Sequence, residues 1–297
     1  MTTAVAIIGG GKLGTAMGKY LAAAGYRITG VCCRTMASAL KAAAAIGTGK
    51  AVTDPWEITR PAQLVLLTTP DGEIAGAYAS IVAHNGFSPG TTVLHCSGAH
   101  PSTILTSPGA AGVARGSFHP LQSFATVGAT DSNPFQGIMA AIEGDPRALE
   151  AAAALGKALG VTCFTIATES KVLYHAAAVV ASNYLVAIVD IAFSLLESAG
   201  IRRPDAMTIL APLIQGTLAN IKTAGIPDAL TGPIARGDTK TIADHVNGIY
   251  GHKNDLLAIY CQLGIHTLRI ARDKGSLPSS RIEEMERLFT DAQNRLP

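Results

Sequence analysis

The fold of this chain is decided by the stretch AVAIIGGGKLG, which occupies residues 4–14. Five apolar residues predict a buried strand, the glycines predict a tight turn, and helical periodicity follows them. A Gly-x-Gly-x-x-Gly turn between a strand and a helix is the phosphate-binding element of dinucleotide-binding folds. Gly9 would permit the turn, Gly11 would admit a pyrophosphate, and Gly14 would let the helix pack closely on the strand. We therefore expect a nicotinamide dinucleotide.

The residues around the helix start and the end of the second strand refine the choice of dinucleotide. Phosphates at the helix N-terminus would lie against the backbone of Lys12 and Leu13. The second strand ends in Cys-Cys-Arg-Thr and lacks the acidic residue that binds the ribose 2′-hydroxyl of NAD. Arg34 and Thr35 suit a 2′-phosphate, although Arg34 could equally be a surface charge. The pattern favours NADP over NAD.

Strand and helix patterns alternate over the first part of the chain and then give way to helices alone. Seven β-rich runs are predicted, at residues 4–8, 27–33, 64–69, 92–96, 113–118, 138–143 and 161–166. This alternation predicts an α/β domain of residues 1–167 with a doubly wound parallel sheet. Helical spacing continues over residues 168–297, except at 225–238, where glycines and prolines disfavour helix. We therefore expect a C-terminal all-helical domain.

Composition and charge exclude several classes of protein. The 297 residues include 48% hydrophobic and only 15% charged residues, which is typical of a soluble globular protein. The net charge is +2 and no basic run occurs, so nothing indicates a nucleic-acid partner. The start Met-Thr-Thr lacks a signal peptide and the cysteine count of five is odd, so we expect a cytoplasmic protein with reduced thiols.

One apolar stretch, residues 176–196, is long enough to raise the question of a membrane. Asn183 and Asp190 lie inside it, and charge at bilayer depth is unfavourable. We therefore expect a buried core helix and no membrane partner.

Polar residues follow three predicted strands at the edge of the sheet where cofactors lie. Thr69 and Pro70 end one strand and are expected beside the cofactor. Ser97 and Gly98 follow the next strand, and Ser97 could orient a substrate or simply form a turn. His119 follows a third strand and could exchange a proton near neutral pH or be a structural histidine.

The residues His95, Cys96 and His100 contain metal-binding side chains but match no strong zinc spacing. No metal is therefore predicted. At about 100° per residue, Lys171 and His175 share one helical face with Ser182. Such residues on an apolar helix indicate either contact with a ligand or a structural polar network.

The motifs together resemble those of Rossmann-like proteins that carry a DUF2520 domain. The resemblance spans nearly the whole chain and rests on residues 95–98, 117–124, 174–177 and 231–238. Those proteins are known mainly as predicted oxidoreductases. Their superfamily includes β-hydroxyacid dehydrogenases, ketopantoate reductases, pyrroline-5-carboxylate reductases and NADP oxidoreductases that use coenzyme F420. The resemblance implies an NAD(P)-dependent oxidoreductase and leaves F420 as a third option beside NADP and NAD.

The resemblance also implies roles for individual residues. β-Hydroxyacid dehydrogenases and ketopantoate reductases bind the reacting oxygen with a lysine and an asparagine four residues later, where this chain has Lys171 and His175. Prephenate dehydrogenases, which are also related, contact the substrate hydroxyl with a serine and a His-Pro histidine, which resemble Ser97 and His119. Phe118 replaces their preceding glycine, so a different substrate shape is expected.

Residues 231–238 resemble a loop of pyrroline-5-carboxylate reductases in which a partner subunit helps to complete the site. Arg236 in this loop would suit a substrate carboxylate, or alternatively a helix cap or dimer contact. The expectation is a homodimeric NADPH-dependent reductase that acts on a carbonyl or imine of a small carboxylated substrate. Lys171, with His119 or His175, would polarise the reacting atom, while Ser97, Gly98, Ser182 and Arg236 would hold the substrate. A non-catalytic NADP-binding sensor is the alternative.

Overall fold

A computed structural model describes residues 2–124 and 132–296 of the chain. The chain divides into two compact units, Met1–Tyr184 and Leu185–Pro297. The sequence placed this division after residue 167, but the helix that begins at Lys171 belongs to the first unit. The reason is that the buried ammonium group of Lys171 bonds to residues of the sheet, and a buried charge must stay with its partners.

The first unit is built on one sheet. Its strands within the described residues are β1 (Ala4–Ile8), β2 (Arg27–Cys32), β3 (Lys50–Val52), β4 (Leu64–Leu67), β5 (Thr92–His95), β6 (Ala114–Pro120), β7 (Met139–Gly144) and β8 (Thr162–Thr165). Their order is β3-β2-β1-β4-β5-β6-β7-β8, and all neighbours are parallel except β6 and β7. The chain changes sides between β3 and β4, so β1 and β4 flank the point where such sheets bind ligands.

Two details of the sheet differ from the prediction. The strand β3 was not predicted, because three residues are too few to show an alternating pattern. The strand β7 runs antiparallel to β6, whereas a fully parallel sheet was expected. A parallel return needs a long crossover, usually a helix, and the described residues between β6 and β7 form none.

Helices cover both faces of the sheet. The first unit contains α1 (Lys12–Ala23), α2 (Met36–Ile46), α3 (Trp56–Thr59), α4 (Ile74–Ala83), α5 (Pro146–Leu159) and α6 (Lys171–Val179). Val5 and Ile7 pack in a core with α1, α2 and α5, while Ala6 and Ile8 face the opposite core with α3 and α4. Alternate residues of one strand thus fill two cores, which explains the continuous apolar run of β1. The predicted doubly wound α/β class is confirmed.

The second unit consists of helices within its described residues. These are α7 (Leu185–Ser198), α8 (Arg203–Ala224), α9 (Ile226–Ala229), α10 (Gly232–Arg236), α11 (Thr239–Ile249), α12 (Asn254–Lys274) and α13 (Ser279–Asn294). Its core lies between α11, α12 and α13 around residues such as Val246, Leu257 and Phe289. Short helices α9 and α10 occupy the segment where glycines and prolines led us to expect no regular helix. In each of them a proline stands in the first turn, where its missing N–H is not needed.

The long apolar helix is exposed, which contradicts the expected buried core helix. The helical stretch Thr168–Ser198 is long and apolar enough to cross a membrane by length and composition alone, and its most apolar window is 0% buried. A π-helical turn, Val180–Tyr184, separates α6 from α7. Apolar side chains are also exposed along α8, among them Leu213 and Leu218. The sequence pattern could not distinguish an apolar face that is buried within the chain from one that is left open.

Candidate functional site

The glycine loop joins β1 to α1 at the carboxyl edge of the sheet. The N–H of Gly9 donates to the carbonyl oxygen of Cys32 at 2.9 Å, and Thr68 Oγ1 donates to the carbonyl oxygen of Gly9 at 2.7 Å. Gly9 has a φ of +109°, which favours glycine, and a Cβ there would lie 2.7 Å from the backbone of Thr68. A Cβ on Gly14 would collide with the carbonyl oxygen of Gly9. The tight turn and the close packing therefore both require glycine.

The space beside the helix N-terminus is open. A Cβ on Gly11 would meet no atom within 4 Å, and Gly11 is the N-cap of α1. No acidic residue lies in the first turn, where Lys12 is exposed and Leu13 is half-buried. Free N–H groups and the helix dipole attract an anion at such a terminus. These residues fit a dinucleotide pyrophosphate.

The end of β2 offers one free cation. Arg34 is exposed and forms no hydrogen bond or ion pair within the described part of the chain. The hydroxyl of Thr35, in contrast, accepts from Ser38 N at 3.3 Å and bonds to Ser38 Oγ at 2.9 Å, because Thr35 is the N-cap of α2. Arg34 is therefore available for a 2′-phosphate, whereas the Thr35 side chain already has a structural role.

The turn after β4 carries an unpaired polar atom. Thr69 Oγ1 is buried and has no hydrogen-bond partner among the described residues. Pro70 is exposed and precedes a 3₁₀ turn, Asp71–Glu73, which has no side-chain cap. A buried hydroxyl without a partner is unfavourable, so Thr69 fits a site that receives a ligand.

Three segments meet around Gly98, which follows β5. A Cβ on Gly98 would lie 2.6 Å from His175 Nδ1 and 2.8 Å from His119 Nε2. The two imidazole centroids are 5.9 Å apart, and His175 Nδ1 is buried without a hydrogen-bond partner among the described residues. His119 is the last residue but one of β6, and His175 belongs to α6. Residues far apart in sequence therefore border one point at the edge of the sheet.

Tyr174 holds the ring of His119. The hydroxyl of Tyr174 is 2.7 Å from His119 Nδ1, and the rings meet edge to face with centroids 5.6 Å apart. Burial, together with the charges of Lys171 and His175, lowers the pKa of His119 to about 4, while Asp71 opposes them. Burial also raises the pKa of Tyr174 to about 12. At neutral pH this is therefore an uncharged imidazole beside an uncharged phenol.

Lys171 is the first residue of α6, one helical turn before His175, and is only 1% exposed. Its Nζ donates to the carbonyl oxygen of Ser97 at 2.8 Å and to Ser117 Oγ at 2.7 Å. Glu143 Oε1 is 3.9 Å from the same nitrogen. Burial lowers the pKa of Lys171 to about 8, although Glu143, Cys96 and Asp71 raise it in part. The ammonium group is thus surrounded by protein acceptors.

Glu143 is the counter-charge of Lys171 and is 2% exposed. It accepts from the N–H and the hydroxyl of Ser102, both at 2.7 Å, and from Thr168 Oγ1 at 3.1 Å. Burial raises the pKa of Glu143, but hydrogen bonds from Ser102 and Ser117 and the charge of Lys171 outweigh it, so the pKa lies below its usual value. A fully bonded carboxylate therefore balances the lysine.

Ser97 forms a turn, one of the two roles that its sequence allowed. Its Oγ accepts from the N–H groups of Ala99 and His100 at 3.2 and 3.0 Å. Its own N–H donates to Nδ1 of the buried His95 at 3.2 Å. No group of three or more His, Cys, Asp and Glu residues within the described ranges could hold a metal ion.

Two predicted substrate-binding residues, Ser182 and Arg236, are exposed. Ser182 is exposed and sits in the π-helical turn Val180–Tyr184, which interrupts the 3.6-residue repeat that placed it on one face with Lys171. Arg236 is exposed in the last turn of α10, in the other compact unit.

The structure also adds residues that the sequence reasoning missed. Tyr174 was part of a recognised motif but received no role. Glu143 stands in the otherwise apolar and small strand β7, and an acid in a predicted buried strand was a usable signal. Ser117 gave no signal of its own, because its role depends on the depth of Lys171.

The chain combines two recognised domains, as its motifs predicted. Residues 2–120 match the model of a Rossmann-like domain, and residues 138–267 match the domain of unknown function DUF2520. No curated protein is significantly similar to the chain in sequence.

Three solved structures show the same fold over nearly the full chain. A candidate NADP oxidoreductase of Bacteroides fragilis is 22% identical, with a TM-score of 0.67 and 99% of each chain covered. A reductive aminase of Aspergillus terreus, solved with NADPH and ethyl-5-oxohexanoate, is 17% identical, with a TM-score of 0.58 over 99% of this chain and 94% of that one. A 1-pyrroline-5-carboxylate reductase of Streptococcus pyogenes is 14% identical, with a TM-score of 0.58 and 99% of each chain covered.

Proposed function

We propose that this protein is an NADP-dependent oxidoreductase that transfers a hydride between NADPH and the carbonyl or imine carbon of a small carboxylated substrate. The observation that carries the proposal is the meeting of His119 and His175 over Gly98, at the edge where parallel sheets hold cofactors. Neighbours of the same fold include a reductive aminase and a pyrroline-5-carboxylate reductase, which support a reductase of carbonyl or imine groups.

The glycine loop and the end of β2 would hold the cofactor. The open backbone at Gly11 and the N-terminus of α1 would bind the pyrophosphate, and Arg34 would bind the 2′-phosphate. Bound NADPH would supply the hydride, while the protein would supply position and a proton. The uncharged ring of His119 would pass that proton from Nε2 as it takes one at Nδ1 from the hydroxyl of Tyr174. The reductive aminase of the same fold was solved with NADPH, which supports NADP as the cofactor.

His119 would hydrogen-bond to the reacting oxygen or nitrogen. With the hydroxyl of Tyr174 donating to Nδ1, the Nε2 atom carries the ring proton and faces Gly98. An uncharged imidazole can polarise a carbonyl by such a hydrogen bond. His175 Nδ1 borders the same point and is free to bind a second polar atom of the substrate. The substrate carboxylate would require a cation, and Arg236 stays a prediction for that role.

The test measures cofactor binding first and oxidation second. NADPH, NADH and F420 are titrated separately against the protein, and oxidation of NADPH is then followed with 2-keto acids, cyclic imines and aldehydes. We expect NADPH to bind more tightly than NADH and at least one compound to be reduced. Tight NADPH binding without oxidation of any compound would favour the sensor, and preferential binding of F420 would overturn the cofactor assignment.

We further propose that the exposed apolar side chains of α7 and α8 pack against a second copy of the chain. Val186 on α7 and Leu213 on α8 are 70% and 67% exposed, and large apolar side chains left exposed on two helices in contact are typical of an interface. Asp190 on α7 forms an exposed ion pair with Arg203, which is a poor fit to a bilayer. The proposal keeps the expected cytoplasmic location, without a membrane or nucleic-acid partner.

Light scattering of the purified protein tests the dimer. We expect twice the monomer mass for the wild type and the monomer mass for Leu213→Glu. The control Lys41→Glu, at an exposed lysine of α2, should stay dimeric. A wild-type monomer at micromolar concentration would refute the interface.

A further inference from the structure

We propose that Lys171 is a positioning residue: its buried ammonium group fixes Gly98, His119 and His175 relative to one another without contacting the substrate. The inference rests on the proposed function only for the identity of the reaction. Its structural content is that one buried charge, with two hydrogen bonds and an ion pair to protein groups, holds three segments in register. It replaces the role expected from the resemblance, in which this lysine binds the reacting oxygen.

The first argument is that protein groups already surround the ammonium group of Lys171. Nζ bonds to the carbonyl oxygen of Ser97 and to Ser117 Oγ, and the carboxylate of Glu143 lies on its remaining side at 3.9 Å. An ammonium group has three hydrogens, and here three protein groups surround it. Since the side chain is 1% exposed, a substrate could reach it only by displacing one of these partners.

The second argument is where the partners stand in the sequence. Ser97 immediately precedes Gly98, so the bond to its carbonyl oxygen fixes the peptide that leads into Gly98. Ser117 precedes His119 by two residues on β6, and side chains two apart point to the same face of a strand. Lys171 itself precedes His175 by one helical turn on α6. Lys171 therefore holds each of the three segments at a point close in sequence to Gly98, His119 or His175.

The third argument is that the charge is balanced by a dedicated carboxylate. Glu143 accepts three hydrogen bonds from Ser102 and Thr168 and is 2% exposed. A buried ion pair of this kind is stable only when its remaining polar atoms are also bonded, and removing one partner leaves an uncompensated charge. Such an arrangement fits a permanent tie between segments, because a proton carrier must change its charge in each turnover.

Two variants separate the roles. Lys171→Met removes the charge and leaves Glu143 buried and unpaired, so we expect the melting temperature to fall by about 10 °C. Lys171→Met combined with Glu143→Gln neutralises both groups and keeps an acceptor for Ser102, so at least half of that loss should be regained. Turnover of the double variant should recover together with its melting temperature, to within about tenfold of the wild type, because a neutral pair of similar size still packs the three segments against one another. Lys41→Met, at an exposed lysine of α2, is the matched control.

A lysine that donates a proton to the substrate predicts a different result. Turnover would then stay lower by about 10²- to 10⁴-fold in the double variant even when its melting temperature recovers. That outcome would overturn the proposal, since no acid would have been restored.

A spectroscopic readout follows the histidine without any substrate. The charged and titratable groups that face His119 are Lys171, His175 and Tyr174 on α6 and Asp71 from the turn after β4. Burial is the main cause of the low pKa of His119 and remains in the double variant, so loss of the lysine charge should raise this pKa only slightly above about 4, as followed by NMR. A rise to the ordinary value would mean that the ring has become exposed, which would contradict the expected recovery of the site.

Chemical labelling tests the wild type, so it does not depend on the folding of any variant. Reductive methylation of the native protein should modify exposed Lys41 and leave Lys171 unmodified, whereas both should react in urea. Rapid methylation of native Lys171 would show that its amine reaches solvent and would overturn the proposal. If the wild type neither binds NADPH nor reduces any compound, the proposed function fails, while labelling, melting temperature and NMR still decide the role of Lys171.

Discussion

Two groups of residues share the carboxyl edge of the sheet and differ in how far their hydrogen-bonding capacity is used. On the cofactor side, Gly11 opens onto free space, Arg34 has no partner within the described residues, and Thr69 Oγ1 is buried and unpaired. On the other side, Lys171 and Glu143 are buried and surrounded by partners.

The difference indicates which residues wait for a ligand. Buried polar groups in folded proteins are nearly always bonded, so an unpaired one marks either strain or a missing partner. A fully bonded charge, in contrast, has nothing left to offer a substrate. By this criterion Thr69 and His175 belong to the binding surface, and Lys171 belongs to the support of the site. The predictions below test that division.

The largest effect is expected for His119→Gln. Glutamine can still hydrogen-bond but cannot pass a proton from Tyr174 to the substrate, so turnover should fall by about 10²- to 10⁴-fold. NADPH affinity should stay unchanged, because the proposed cofactor contacts lie elsewhere. The measurement is steady-state oxidation of NADPH with the best compound of the panel. His252→Gln, at an exposed histidine of the second unit, is the control, and equal turnover in both variants would remove His119 from the proposed reaction.

A loss of about 100-fold in turnover is expected for Gly98→Ala. The new methyl group would lie 2.6 Å from His175 Nδ1 and 2.7 Å from His119 Cε1, so both rings must move. Displacement of reacting groups by about 1 Å is enough for such a loss. Gly76→Ala on α4 adds a methyl group in open space and should have no effect. Full activity in Gly98→Ala would show that the two rings do not bind the substrate together.

A smaller effect, about 10- to 30-fold, is expected on cofactor affinity for Arg34→Ala, since a charge-assisted hydrogen bond contributes about 1.5–2 kcal/mol. The affinity for NADPH should fall while that for NADH stays the same. Isothermal titration with both cofactors measures this difference, with Arg287→Ala, at an exposed arginine of α13, as the control. Equal losses for NADPH and NADH would assign Arg34 to a part that both cofactors share.

Much of the fold could be predicted from the sequence because its signals are local. The glycine turn lies between its strand and helix within eleven residues, and the strands show as continuous apolar runs. The antiparallel direction of β7 and the exposure of the apolar helix were not predictable in this way. Both depend on which surfaces meet after folding, and neither alternation nor helical periodicity contains that information.

The sequence predicted which residues form the candidate site better than it predicted what each of them does. Residues near Ser97, His119 and Lys171 were expected to meet, and the structure brings them into one bonded cluster. The depth of Lys171 was not predictable, because it depends on the long-range positions of Ser117 and Glu143. The same local pattern would suit an ammonium group that faces the substrate or one that lies beneath the site.

The smallest effect concerns stability in mild acid. Burial lowers the pKa of both His95 and His119 to about 4 from an ordinary value of 6.5. Between these values the unfolded chain binds protons that the folded chain does not, so stability is complete above pH 6.5 and falls as the pH drops toward 4. Urea unfolding should therefore show a midpoint lower by about 0.5 M at pH 5 than at pH 7. His119→Gln should lessen this fall and His252→Gln should not. A midpoint in wild type that stays constant from pH 7 to 5 would mean that these rings bind protons equally in the folded and the unfolded chain, so that burial does not lower their pKa.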